Sequence, residues 1–218
     1  MIQGIDEDSL DFISRMNKSM IYSRNPSKEA EFPSPDEAML REEILAKYVL
    51  ISAVSYFESS IKEDIRFYFS GSFNEEEKFL MNFINESILD RGFYSLFDWD
   101  ENNKGNINTF LRKFFGKGSR YEDIKEKIGE RKDLKHSILA FYAMFAMRNE
   151  IIHENAHNSS IGHTLEKIIG YYEDAKFFIE NFKIILNGDV DGIPENTRSK
   201  NIDSIDLRLL KKQDLLNK

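Results

Sequence analysis

The sequence contains no cysteine, which removes disulfide scaffolds, zinc ribbons, thiolate iron–sulfur sites and thiol nucleophiles together. Proline and glycine are scarce, 4 and 11 in 218 residues, which argues against an all-β fold needing a turn every few residues. Long apolar runs are missing too. The longest, residues 48–61, is interrupted by Ser52, Ser55, Glu58, Ser59 and Ser60, and falls short of the roughly 20 apolar residues a bilayer crossing needs. Residues 1–11 are acidic, unlike the basic start and apolar core of a secretory signal. The expectation is a cytoplasmic protein without a membrane partner. Basic residues are in deficit, 30 against 38 acidic, for a formal net charge of -8, which counts against a general coat for nucleic acid.

What is present is helical periodicity. Hydrophobic residues make up 41% and charged residues 31%, the composition of a globular chain. Leu40, Ile44, Lys47, Ile51, Val54, Glu58, Ile61, Ile65 and Tyr68 follow one another at alternating spacings of four and three. They form one face of a helix running from about Pro35 to Phe69, with Ser34 or Asp36 near its start and Gly71 past its end. Leu134, Ile138, Phe141, Phe145, Arg148 and Ile152 make a second stripe. Ile161, Leu165, Ile168, Tyr172, Ala175, Ile179, Phe182 and Leu186 make a third, closed by Asn187-Gly188. Three such stripes predict an all-α fold of antiparallel helices. Shorter helices are predicted over residues 6–21, 74–89, 107–115 and 121–129, with Asn74 as an N-cap. The chain divides into an N-terminal helix and loop (1–35), a helical domain (36–188), and a polar linker with a short terminal helix (189–218).

The charges on these stripes are the informative residues. Lys47 and Glu58 interrupt the first, and Arg148 stands on the second among Phe141, Phe145 and Ile152. An unpaired buried charge costs several kcal/mol. Either the buried seam lies one position to the side and Arg148 snorkels to water, or Glu58 and Arg148 meet across a helix pair at a cleft. After Arg148 the chain reads Asn149-Glu150-Ile151-Ile152-His153. At about 100° per residue, Asn149 lies about 100° and His153 about 140° round the helix from Arg148. A cation, an amide and an imidazole thus share one arc. That set suits a phosphodiester, with Arg holding the non-bridging oxygens and His moving protons near neutral pH. A histidine near a helix C-terminus is also favoured by the dipole alone.

The segment RNEIIH (148–153), preceded by a long helix carrying AVSYFESSIKEDI, resembles the HEPN superfamily, and within it the bacterial RiboL-PSP-type branch. Arg148, Asn149 and His153 match the family's Arg-x4-6-His motif with its polar residue after the Arg. Glu58 matches the acidic or polar residue that often faces the motif from an earlier helix. The resemblance implies a bundle of four to five core helices that dimerises with two motifs facing across a cleft. It also implies a metal-independent endoribonuclease, without cofactor, acting as a toxin or antiphage effector and answering to an antitoxin or other regulator. The RNA 2′-hydroxyl would attack the adjacent phosphate, leaving a 2′,3′-cyclic phosphate. His153 would be the acid or base, Arg148 the phosphorane stabiliser, Asn149 an orienting hydrogen-bonder, and Glu58 a holder of Arg148 or polariser of His153. Some members carry a Tyr two residues after the His that an antitoxin modifies; here Asn155 stands there, which argues against that control. The superfamily also contains inactive modules that bind a partner protein or nucleotide.

Other residues invite weaker readings. His153, His157 and His163 with Glu154 suggest a metal, but Asn155 and Asn158-Ser159-Ser160 break the helix needed to align them, so no metal is expected. Gly116-Lys117-Gly118-Ser119 lacks the full spacing of a phosphate loop and reads as a turn. Phe93, Tyr94, Phe97 and Trp99 either cap the bundle or stack bases. Lys104, Arg112, Lys113, Lys117 and Arg120 make a locally cationic segment, and with Lys47 and the tail residues Lys211 and Lys212 are candidates for RNA backbone contacts. The net charge of -8 does not exclude a small cationic cleft built from Arg148 of two chains and the 104–120 segment.

Overall fold

Proline at a first helical position costs no hydrogen bond. The first helix, α1, spans Pro35–Ser70 and stops at Gly71. The computed structural model describes residues 35–71, 78–97, 106–153 and 163–196. Helix α2 (Lys78–Phe83) runs on as a π-helical stretch over Ile84–Asp90, and a single turn, α3, covers Phe93–Leu96. Helix α4 (Ile107–Phe115) starts at Asn106, whose side chain accepts from the Asn108 amide at 2.8 Å, and ends at Gly116 with φ of 74°. Helices α5 (Ser119–Glu130), α6 (Lys132–His153) and α7 (Leu165–Asn187) follow. Thr164 caps α7 at its start, and Gly188, at φ 79°, returns its N–H to the last turn. No strand occurs among the described residues, so the all-α expectation holds. The predicted helix at 6–21, the Asn74 cap and the tail beyond 196 lie outside the described residues.

Helix α6 is the central element, with every residue from His136 to Met147 buried. Phe141 makes ring contacts with Phe57 of α1 (6.2 Å), Phe97 (5.8 Å) and Phe178 of α7 (5.1 Å). The third stripe is buried along its whole described length, Leu165 to Leu186. The first is not. Leu40, Ile44 and Ile51 are exposed, and the buried face of α1 is Ala46, Val49, Leu50, Ala53, Val54, Phe57, Ile61 and Ile65. The seam does lie to one side of the stripe. Residues 48–51 are apolar at every position, so their spacing does not choose a face; the helices packed against them do.

The directions also differ from a simple antiparallel stack. Phe57 stacks on Tyr172 at 5.3 Å, and further along both helices Lys183 sits over the Phe67 ring at 3.5 Å. Helices α1 and α7 are therefore parallel. Arg131, just before α6, donates to the carbonyls of Ile193 (2.8 Å) and Pro194 (2.9 Å), just after α7. The start of α6 thus lies beside the end of α7, and α6 runs against both neighbours. Its C-terminal turn, residues 148–153, falls at the bundle end shared by the beginning of α7 and the N-terminal half of α1.

One polar side chain ties α6 to α7. The Ser137 hydroxyl donates to the Asp174 carbonyl at 2.6 Å and accepts from the Phe178 amide at 2.7 Å. It enters the rung between residues four apart in α7, a place where side chains are known to bend helices. Ser137→Ala is expected to lower the melting temperature by roughly 2–8 °C, from a loss of ~1–2 kcal/mol for buried polar groups. Thermal denaturation followed by circular dichroism checks this.

Past residue 188 the chain stays packed on the bundle as far as residue 196. Val190 and Ile193 are buried, Val190–Gly192 forms a 3-10 turn, and the Asn196 amide donates to Asp133 at 2.9 Å. Two apolar residues in a polar stretch are enough to dock what the sequence presents as a linker. Asp133 also takes a forked pair of bonds from Arg131, at 2.9 and 2.7 Å. The Arg131 bonds, ahead of those from the Asn196 and Leu134 amides, pull the Asp133 carboxyl down from 3.8 to about 2. A lowered folded-state value means this clamp contributes fully above the ordinary 3.8 and is lost as pH falls through about 2. Asp133→Asn is therefore expected to melt earlier than wild type at neutral pH, with the gap closing in acid. Paired melts across pH 2–7 check this.

By length and composition alone Met39–Ser70 would suffice to cross a membrane, a test that the core helix of a bundle also passes. Much of that hydropathy is the face buried against α6 and α7.

Candidate functional site

Arg148 lies one turn before the end of α6, half-buried, with Asn149 beside it. Its guanidinium donates to the Asn149 side-chain oxygen at 3.1 Å and lies 5.6 Å from the centre of the Tyr94 ring. His153 is the last residue of α6, so its backbone stands one turn beyond Asn149; its side chain lies outside the described residues. Helical geometry thus brings Arg148, Asn149 and the His153 backbone to one end of the bundle.

Glu58 belongs to this cluster, though not as a direct partner of Arg148. Its carboxylate accepts from Lys62 at 2.7 Å through one oxygen and from the Tyr94 hydroxyl at 3.1 Å through the other. No carboxylate pairs with Arg148 among the described residues. Tyr94 stands between the two charges. Burial first, then the Glu58 carboxylate, pushes the Tyr94 hydroxyl above its ordinary value, while Arg148 opposes them. The phenol stays neutral at physiological pH. Both branches of the sequence reading therefore contain part of the geometry: the α1 seam is displaced, and Glu58 and Arg148 still converge.

Lys62 is not among the residues the sequence singles out, and Tyr94 is named there only with Phe93, Phe97 and Trp99, as a cap of the bundle or a platform for bases. Lys62 carries the ordinary signal of a cation four residues after Glu58. Tyr94 carries almost none, since it comes from a one-turn helix far away in sequence. Its neighbours Phe93 and Phe97 are fully buried, so they close the bundle instead of offering faces to bases; Trp99 lies outside the described residues.

The cationic candidates do not assemble around Arg148. Arg120 donates to the Leu186 carbonyl at 3.3 Å and lies 4.8 Å from the centre of the Phe115 ring. It closes the far end of α7, about 30 Å from the start of that helix at 1.5 Å per residue. There it lines a pocket of about 340 Å³ with Phe67, Tyr68, Gly71, Lys183 and Asn187. Arg120 therefore stands away from Arg148 of its own chain. Of the cationic candidates among the described residues, Lys113 reaches the site's surroundings, donating to the Ser95 carbonyl next to Tyr94. Arg112 and Lys117 are exposed. Lys47 pairs with Glu43 at 3.0 Å, which leaves its charge largely matched. Lys104, Lys211 and Lys212 lie outside the described residues.

No group of three potential metal ligands occurs among the described residues; the side chains of His153, Glu154 and His157 lie outside them. Gly116, Lys117 and Gly118 make the bend between α4 and α5, and Ser119 opens α5, so the segment is a connection as its spacing predicts.

Neither the curated proteins nor the solved structures contain a match to this chain. The family described as RiboL-PSP-HEPN matches residues 17–188, a span that holds α1, the Glu58–Tyr94–Arg148 cluster and all of α6 and α7. With most of its length accounted for in this way, the chain belongs to the RiboL-PSP-HEPN family.

Proposed function

We propose that this protein is a metal-independent endoribonuclease whose active site is built at the end of α6 from Arg148, Asn149 and His153, supported by Glu58. The observation that carries this reading is the Arg148 guanidinium: held in place by neutral groups, adjacent to the motif amide, and matched by no carboxylate among the described residues. A half-buried cation with spare donors is a seat for a phosphate. His153 removes the proton from the RNA 2′-hydroxyl or delivers one to the departing 5′-oxygen. The 2′-oxygen bonds to phosphorus, the bond to the 5′-oxygen breaks, and the products carry a 2′,3′-cyclic phosphate and a 5′-hydroxyl. Arg148 offsets the charge that builds on the phosphorane. Family membership is in keeping with nuclease or RNA-related work; the role as toxin or antiphage effector, with an antitoxin or other regulatory partner, belongs to the same proposal.

A motif supplying one histidine provides one proton-transfer group, whereas concerted acid and base work needs two. A homodimer supplies both. Leu40, Ile44, Tyr48 and Ile51 form an exposed apolar strip on α1, with Ile44 57% and Tyr48 62% exposed. By helical phase this strip runs on from Glu58 toward the bundle end that carries the motif, where Ile152 is also exposed. Exposed apolar surface of this kind marks an interaction site, and a second copy seated there would set two motifs near one another. Leu40→Asp with Ile44→Asp is expected to convert a dimer to monomers and to suppress cleavage together, as read by light scattering and RNA digestion.

The central test is RNA incubated with the purified protein in EDTA. Fragments ending in cyclic phosphate support the enzyme. Intact RNA under all activating conditions would instead leave the protein as a helical module that binds a partner protein or nucleotide.

A further inference from the structure

Arg148 has a carboxylate close by that does not neutralise it. Arginine and glutamate at short range favour a forked, charge-assisted pair, and in a half-buried setting their attraction exceeds that at an open surface. Glu58 instead spends one oxygen on Lys62 and the other on the Tyr94 hydroxyl, while Arg148 rests against the Tyr94 ring. The phenol touches both charged residues, its hydroxyl bonded to Glu58 and its ring facing Arg148. Its surroundings hold it there: Phe93, next to it, is buried, Lys62 lies 5.1 Å from the centre of the Phe93 ring, and Lys113 fastens the carbonyl of Ser95.

We infer that Tyr94 is a positioning residue, a neutral spacer that keeps Glu58 off Arg148 and seats the guanidinium so that its remaining donors face an incoming phosphate. The ring supplies a cation–π surface, and the hydroxyl occupies the carboxylate oxygen that would otherwise turn to Arg148. Glu58 and Lys62 act through Tyr94 and not on the substrate. This deepens the ribonuclease reading and rests on it for the identity of the anion; the spacing itself is independent of it.

The test uses the full chain and four proteins: wild type, Tyr94→Ala, Tyr94→Phe, and Tyr94→Ala with Glu58→Gln. The probe is a short oligouridylate carrying 2′-fluoro groups throughout, which binds without being cut, read by fluorescence anisotropy. Tyr94→Ala lets Glu58 collapse onto Arg148 and is expected to weaken binding about tenfold, the worth of one charge-assisted hydrogen bond. Adding Glu58→Gln removes the competing charge and restores most of that loss. Tyr94→Phe keeps the ring but frees the Glu58 oxygen, and is expected to fall between wild type and Tyr94→Ala. A purely structural role for Tyr94 predicts no rescue by Glu58→Gln, and that result overturns the proposal; so does Tyr94→Phe binding as weakly as Tyr94→Ala. A second readout needs no RNA. In nitrogen-15 spectra the Arg148 side chain should rotate slowly when paired to a carboxylate, in Tyr94→Ala only, and quickly in wild type and the double variant. If wild type binds no RNA while this spectral pattern holds, the ribonuclease reading fails and the spacer stands. If wild type binds and the pattern is absent, the spacer fails alone.

Discussion

His153→Ala is expected to lower the rate of RNA cleavage by ~10²–10⁴-fold, the range that positioned proton transfer contributes, while leaving the fold intact. His153 is the last residue of α6, and the loss is expected in kcat and not in the melting temperature. Arg148→Ala should cost a comparable ~10²–10³-fold through lost stabilisation of the phosphorane. Arg148→Lys should recover little, because an ammonium cannot offer a planar fork to two phosphate oxygens. The pH profile adds a signature: wild type should titrate near neutrality, and His153→Ala should flatten that limb. Cleavage by His153→Ala at the wild-type rate would remove this residue from the chemistry.

The largest expected effect on stability lies at Phe141. Its ring is fully buried and touches aromatic side chains from α1, from the segment after α3, from α6 itself and from α7. Phe141→Ala is expected to cost ~3–5 kcal/mol, because surrounding helices cannot collapse into the space left. Against a total of ~5–15 kcal/mol for a typical domain, that loss is large. Urea unfolding followed by circular dichroism measures it, and a midpoint unchanged from wild type would contradict the packing described. Phe141→Leu, which refills most of the volume, should recover part of the loss. The variant also guards the functional tests: its activity should fall with the folded fraction, whereas that of His153→Ala should not.

The contrast between the two sites shows what the sequence makes legible. Phe141 and the α7 stripe are readable because apolar residues recur at helical spacing with polar ones between them. Helix α1 is only half readable. Its run of apolar residues at 48–51 satisfies several faces at once, and the choice belongs to the neighbours that pack on it. Arg148, Asn149 and His153 are readable as a group because a helix places them by simple arithmetic. Tyr94 is not, because its place beside Glu58 and Arg148 depends on how a one-turn helix docks. The docking of Val190 and Ile193 on the bundle is hidden for a similar reason: two apolar residues carry it, and no period announces them.

The hydroxyl of Ser137 has a further consequence beyond its hydrogen bonds. It is keyed to one particular rung of α7, so α6 cannot slip along its neighbour by a turn without breaking both bonds. Arg148 follows on the same helix about three turns later and at nearly the same angle round its axis. The key therefore acts as a gauge: it fixes the height at which the motif emerges from the bundle, and hence the distance at which two such motifs would stand apart in a dimer.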